Sequence, residues 1–406
     1  MTKPSARPSL PRRLAFAALT ACATLAPLAL AAELHLRRLA AAERPGVLAP
    51  HQRRHGLPVN GRTRSLKPGL DYVQVPGFGE IEGATVNSWG FHDAEPMLPR
   101  PPSTFGVAVI GDSMTYGTHV AWDQAWPAVL ERRLTAPAPL GSIDVTNLGV
   151  SGYQLTEIEA AAREVALPLF APDLLIYAAY SNDVSDMGLN QYRYQQRFPE
   201  ACTSPESSDE VVPSFWLFPE RLERWLRTRS SLVAELRFRR DLLRYDVLLP
   251  ALERARERGG ALATAARGLE RAVPFFDPHL EICRRFRYGF VLLEAIAEVA
   301  RERGVPLVIV EIPNLEHLDR GDPGSMHSFL ASFAESHPDV PFVEPRTAIR
   351  EEAARRGVPA RDLYLGDADF HPTPLGHELL AAALAAPIQR EVERAAQRRA
   401  RRAASP

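Results

Sequence analysis

Cysteine is scarce in this chain, with three residues, Cys22, Cys202 and Cys283, among 406. That is too few for a disulfide-built scaffold, and their spacing matches no zinc motif. Cys22 sits in an apolar stretch, which leaves Cys202 and Cys283 as the one pair that could bridge; two unpaired thiols are the simpler reading. An excess of one charge sign is missing too. Lys plus Arg number 48 against 49 for Asp plus Glu, so no global field argues for nucleic acid or an acidic polymer as partner. No internal repeat is evident. Long apolar runs are absent with one exception.

That exception is Leu14 to Ala32, uncharged and preceded by Arg7, Arg12 and Arg13. It is about long enough to cross a bilayer as a helix, and the positive residues before it favour a cytoplasmic N-terminus and export of the rest of the chain. Two fates stay open. The run is longer than a usual signal core and passes straight into Glu33-Leu-His-Leu-Arg-Arg38, which favours an uncleaved anchor; Ala29-Leu-Ala31 has the small-x-small form of a signal-peptidase site and would give a secreted protein. Leu19-Thr-Ala-Cys22 resembles a lipoprotein box, but apolar residues continue well past Cys22.

The chain divides into an N-terminal membrane segment over 1–38, a Pro, Arg and His-rich linker over 39–70, a main domain over 71–390 and a basic tail over 391–406, whose Arg398, Arg399, Arg401 and Arg402 read as frayed and solvent-facing. Residues 71–95 read as short strands broken by turns, a small β-rich preface. Beyond them strands and helices alternate. Val107 to Ile110 is a short β-branched run, followed by Trp126, Val129, Leu130 and Leu134 at helical spacing; Ile143 to Leu148 and Leu174 to Ala179 are further strands with a helix between them. About 187–285 interrupts this rhythm with a Pro/Ser/Glu stretch and Arg-rich helical segments. A helix with Phe286, Phe290, Leu293, Ala297 and Ala300 on one face, a Gly304 stop and a strand over Pro306 to Ile312 resume it. A last helix opens near Pro374. Such alternation predicts an α/β fold with a parallel central sheet flanked on both faces.

Polar residues gather where the strands run out. The first ends in Gly111-Asp-Ser113, the second in Asn147-Leu-Gly-Val-Ser-Gly152 and the third in Tyr180-Ser-Asn-Asp183, while Asp367-Ala-Asp369-Phe-His371 lies in the loop just before the last helix, which could bring His371 back to Ser113. Ser113 stands at the carboxyl edge of the sheet, where α/β proteins bind ligands, and next to helix N-H groups that stabilise an anion. A serine hydroxyl is a poor nucleophile near neutral pH. An imidazole must take its proton, and a carboxylate must orient that imidazole. His371 is the candidate base; Asp369, two residues before it, is the candidate acid, with Asp367 in reserve. Asp112 reads equally well as a brace of the turn or as a helix-start carboxylate.

In this order the residues resemble the SGNH (GDSL-type) hydrolase superfamily over roughly residues 87–385. The resemblance implies a three-layer, flavodoxin-like fold and a serine esterase with Ser113 as nucleophile, His371 as base, and Ser113 N-H, Gly152 and Asn182 as the oxyanion hole. The lead-in Asn87-Ser-Trp-Gly-Phe91 and Asn147-Leu-Gly-Val-Ser-Gly-Tyr153 are similar to membrane-anchored or exported bacterial members. Three departures stand out. Tyr180 occupies the usual place of a glycine and is expected to narrow or line the pocket; Ala368 stands where the commonest spacing has the acid; and His92 replaces an arginine common after Gly-Phe.

The expected substrate is a small-molecule or glycan acyl ester, with O-acetyl among the candidate groups, and no cofactor is implied. Acyl transfer to or from a cell-surface glycan uses the same acyl-enzyme and is the alternative reading. A metal hydrolase holding its ion on Asp112, Asp367, Asp369 and His371 would leave the serine, glycine and asparagine ends unexplained. A non-catalytic glycan-binding domain fits poorly while all four block residues are present. Within the insertion, residues 221–244 carry eight arginines, more than their acids, among Trp225, Leu226, Leu232 and Leu236; a solvated helix face is the plain reading and a lid on an anionic membrane the sharper one.

Overall fold

The computed structural model describes residues 25–35, 38, 87–185 except 88, 90 and 152, six positions between 222 and 236, and 278–404 except 322, 367 and 368. The central sheet has five parallel strands: β1 (Thr104–Gly111), β2 (Ser142–Asn147), β3 (Leu174–Ala179), β4 (Leu307–Glu311) and β5 (Phe342–Val343). Their order is β2-β1-β3-β4-β5. β1 and β3 are buried along their whole length, as expected of strands covered on both faces, and this is why they read as continuous apolar runs.

Alternation along β1 assigns the two faces. Ala108 and Ile110 point into one core, with Tyr177, Ile309, Phe290 and Phe329; Phe105, Val107 and Val109 point into the other, with Ile176, Val308, Trp126, Leu379 and Leu384. The first face is covered by α3 (Leu155–Ala161, continued by a π-helical stretch Ala162–Phe170), α5 (Pro278–Glu302) and α7 (Gly324–Ser336). The second carries α2 (Trp126–Glu131), α8 (Arg346–Arg355) and α9 (Pro374–Ala404). In α9, Leu380, Leu384, Ile388 and Val392 recur every fourth residue and are at most 3% exposed. Each contributes about 1.5–3 kcal/mol by leaving water.

The remaining elements are short and belong to the carboxyl edge of the sheet: α1 (Ser113–Tyr116), α4 (Asn182–Ser185), α6 (Leu315–Arg320), and an antiparallel pair, β6 (Tyr364–Gly366) with β7 (Asp369–Pro372). In this strand order the chain reverses direction across the sheet between β1 and β3. Ligands of open α/β sheets bind at such a switch point, and Ser113 and Asn182 follow these two strands.

Several expectations need correction. The basic tail is not frayed: α9 runs unbroken to Ala404. Arg399 donates to the Pro102 carbonyl, to the Thr104 carbonyl and to Asp173 (2.6, 3.2 and 2.8 Å), and Arg402 donates to the Gly304 carbonyl at 2.5 Å. Charge density alone suggested solvent, whereas these guanidinium groups have carbonyl and carboxylate partners. The helix after the insertion starts at Pro278, earlier than its apolar face revealed. Of the β-rich preface, residues 71–86 lie outside the described residues, and the described positions from 87 to 100 hold turns and bends but no strand.

The apolar run Leu14–Ala32 is described from residue 25, where residues 25–35 are helical. Among the described residues no helix is long and apolar enough to cross a membrane. Cys202 lies outside the described residues and Cys283 falls in α5.

Candidate active site

β1 delivers the nucleophile turn. Asp112 closes the strand and caps α1, its Oδ1 accepting the Met114 N-H at 2.9 Å. The helix lasts one turn because Gly117 follows it in the left-handed region, at φ 81°, a conformation glycine adopts without steric cost. The Ser113 carbonyl then accepts the N-H groups of Gly117 and Thr118 and the Thr118 hydroxyl. Ser113 is held by its main chain and is only 7% exposed.

The loop after β2 is tied directly onto this turn. Asn147 donates from Nδ2 to the Thr115 carbonyl at 2.9 Å, and its Oδ1 accepts the Gly149 N-H at 3.0 Å. A Cβ on Gly149 would come within 2.5 Å of the Tyr116 amide nitrogen, so only glycine permits this approach. Gly152, three residues on, lies outside the described residues. His92 braces the turn from the other side, donating from Nδ1 to the Tyr116 carbonyl at 2.8 Å and stacking on the Tyr116 ring. The departure at this position therefore has a packing role.

β3 supplies Asn182. Its turn is fixed by Asp183, whose Oδ2 accepts the Tyr177 hydroxyl at 2.7 Å and the Tyr180 N-H at 3.0 Å. Asn182 is 7% exposed. Tyr180 does not line a pocket: it is 1% exposed, part of the second core, and stacks on Phe370. The ring fills the space that a glycine would leave and packs behind the residue next to the histidine.

His371 comes from β7 rather than from a loop, a strand too short for its alternation to show in the sequence. Its Nε2 stands 2.9 Å from Ser113 Oγ, which is hydrogen-bond distance for proton transfer. Phe370 stacks beside it, and His119 meets its ring edge to face at 5.5 Å. His119 follows the nucleophile turn with φ 72°, an unusual conformation for a non-glycine residue and one that clusters at functional sites. Its one mark in the sequence is closeness to Gly117, too weak a signal to single it out.

Burial sets the protonation of the surroundings. Asp112 is pushed up to about 6 chiefly by burial, against the pull of the Met114 N-H, the Asn182 side chain and the field of His371. Asn182 is near enough to contribute, yet Asp112 Oδ2 finds no partner with hydrogen-bond geometry among the described residues. His377, fully buried, accepts the Trp126 N-H on Nδ1 at 3.2 Å and is pushed down to about 3, mainly by burial. His92 is lowered for the same main reason. Both stay neutral near pH ~7, so neither opposes a positive charge forming on His371.

Asp367 lies outside the described residues; Asp369 is placed on β7 by its backbone alone. Among the described residues no group of three or more His, Cys, Asp or Glu side chains is arranged to hold a metal ion.

A serine and an imidazole in hydrogen-bond contact at the switch point of a parallel sheet suit acyl transfer chemistry. The GDSL-like Lipase/Acylhydrolase family model matches residues 109–379, a span that runs from β1 into α9. The chain belongs to this family. It is an ester-bond hydrolase of that family.

Several solved structures match the chain at low identity and low TM-score. A lipolytic G-D-S-L family protein from Veillonella parvula is 13% identical, with 69% of this chain and 96% of that one covered and a TM-score of 0.35. A two-domain esterase active on acetylated mannans is 12% identical, over 71% of this chain and 50% of that one, with a TM-score of 0.37. An acetylxylan esterase from Geobacillus stearothermophilus is 15% identical, over 71% and 94%, with a TM-score of 0.36. No curated protein shows significant sequence similarity to the chain.

Proposed function

We propose that this GDSL-family hydrolase is a serine esterase working through an acyl-enzyme on Ser113. The 2.9 Å contact between Ser113 Oγ and His371 Nε2 carries the reading. For Nε2 to accept the serine proton, Nδ1 must hold the other one, and an acid facing Nδ1 fixes that tautomer. Asp369 takes this role: positions 369 and 371 are two apart on β7 and share a face of the strand. Asp367 remains the reserve. Asp112 is committed to capping α1.

As Ser113 Oγ attacks the ester carbonyl, His371 takes the hydroxyl proton and the carbonyl oxygen gains negative charge. The Ser113 N-H, Gly152 and the Asn182 amide are assigned to that oxygen. Collapse breaks the bond to the alcohol, which leaves with the proton from His371; a water, deprotonated by the same imidazole, then attacks the acyl-enzyme and frees Ser113. Preplaced donors stabilise the charged state without reorganising, and one such donor is worth about 3–4 kcal/mol of barrier.

The substrate class we assign is a small acyl ester, O-acetyl foremost, on a glycan outside the cytoplasmic membrane. Support for the location comes from Arg7, Arg12 and Arg13 before the apolar run Leu14–Ala32, which predict an anchor with the catalytic domain on the extracytoplasmic side. The test is a panel of p-nitrophenyl acyl esters and acetylated polysaccharides, with and without sugar acceptors, on wild type and Ser113→Ala. Acetate release that disappears in the mutant and is not diverted to acceptors supports the esterase. Equal turnover in the mutant overturns it, and diversion to sugar makes the protein a transferase.

A further inference from the structure

The carboxyl edge of the sheet carries polar groups beyond Ser113, Asn182 and His371. Ala179 of β3 pairs with Glu311 of β4, and the Ile312 N-H donates to the Ala179 carbonyl at 2.8 Å. The loop after β4 therefore rises beside the Tyr180-Ser-Asn182 turn, and the Tyr364 hydroxyl, donating to the Pro313 carbonyl, pins it there. Asn314 comes next, at the start of α6, where an asparagine side chain ordinarily accepts a helix N-H. It makes no such cap. Its carboxamide turns to Ser181 instead, with Oδ1 at 3.2 Å and Nδ2 at 3.1 Å from the hydroxyl oxygen. Ser181 immediately precedes Asn182, so a half-buried hydroxyl and carboxamide stand next to a residue assigned to the oxyanion hole.

A second polar pair closes β4. Glu311 is 3% exposed, and its Oε2 accepts Nδ1-H of His327, in the first turn of α7, at 2.8 Å. This leaves Nε2 as the acceptor of a neutral ring. The His327 side chain is 26% exposed and makes no other hydrogen bond among the described residues. Phe342 holds the ring from the side, with centroids 5.4 Å apart. β1 and β4 are separated by β3 alone, so about 10 Å, two strand spacings, divides the nucleophile's strand from that of Glu311.

We infer that Ser181, Asn314 and His327 form a subsite for the alcohol part of the ester, and that this alcohol is a sugar. A hydroxyl, a carboxamide and a neutral imidazole each donate and accept, as sugar hydroxyls do. An apolar alcohol would leave these groups unpaired. An anionic one would need a cation, and Arg346, whose field reaches Glu311, is already paired with Glu344 at 3.5 Å. The inference rests on the serine esterase reading with a glycan ester. It adds where the glycan lies: across the ends of β3 and β4, with its acyl group at Ser113.

The test compares mono-O-acetylated methyl glycosides of several sugars with p-nitrophenyl acetate, whose alcohol bears no sugar hydroxyl, on the full chain with active sites counted by fluorophosphonate labelling. The readout is the ratio of kcat/KM for the preferred glycoside to that for p-nitrophenyl acetate. Asn314→Ala should lower this ratio by at least about tenfold, chiefly through KM for the sugar ester. His327→Gln, which keeps a donor for the buried Glu311, should shift it in the same direction. An unchanged ratio in either variant, or a fall through kcat alone, overturns the inference. Wild type that hydrolyses p-nitrophenyl acetate and none of the glycosides also overturns it and leaves the esterase reading standing. Wild type that hydrolyses neither overturns both.

Discussion

At the amino end of the central sheet Arg100 donates to Asp144 and to the Phe170 carbonyl, both at 2.9 Å, and Arg399 ties Asp173 and the Pro102 and Thr104 carbonyls to α9. At the carboxyl end Asp112 Oδ2, Asn182 Oδ1, His92 Nε2 and His377 Nε2 are buried with no hydrogen-bond partner among the described residues. A buried polar atom without a partner costs about 1–3 kcal/mol. One end of the sheet is therefore built for stability. The other carries a cost that proteins accept where chemistry is done.

Mutations on the two ends should separate activity from stability. The largest effect is expected from Ser113→Ala, which should lower kcat/KM on p-nitrophenyl acetate by at least about 10³-fold with the thermal midpoint unchanged or raised. Asn182→Ala should cost about 10²- to 10³-fold in kcat with KM little altered; a pure KM effect would place Asn182 in substrate binding instead. Arg100→Met reverses the pattern. It leaves Asp144 and the Phe170 carbonyl short of a donor, so it should destabilise by about 2 kcal/mol in urea unfolding while kcat per folded molecule holds.

Smaller effects sharpen the boundary of the site. His119→Ala should lower kcat about tenfold by freeing the His371 ring, with His119→Phe, which keeps a ring edge against His371, restoring most of it. Asp93 accepts the Asn147 N-H at 2.7 Å and is pushed up to about 7, mostly by burial. The unfolded chain releases this proton near pH ~4 while the folded chain retains it to near 7, so this group's contribution favours folding in acid and fades as pH rises through that window. Asp93→Asn keeps an acceptor for Asn147 and should gain about 1 kcal/mol at about pH 8, with no gain near pH ~4.

How legible each part was in the sequence depends on the kind of contact that holds it. β1, β3 and β4 are buried on both faces, so continuous apolar runs marked them, and the polar residues at their ends pointed to Ser113, Asn182 and the switch point. β7 has four residues and pairs with a three-residue strand, too short for periodicity, so His371 read as a loop residue. Tyr180 was placed in the pocket by analogy with glycine, whereas its ring packs against Phe370. The arginines of α9 read as solvent-facing because a charge pattern does not show that the Asp173 carboxylate and three main-chain carbonyls lie within their reach. Asn147, Asp183 and His119 position the site through contacts that depend on the folded chain, and no spacing rule announces them.

The most direct test of the central claim is fluorophosphonate labelling of the full chain, with the modified residue mapped by peptide mass spectrometry. Our account predicts one adduct, on Ser113, formed at the rate at which esterase activity is lost and greatly slowed in His371→Ala. An adduct on another residue, or full activity in a chain labelled at Ser113, would contradict it.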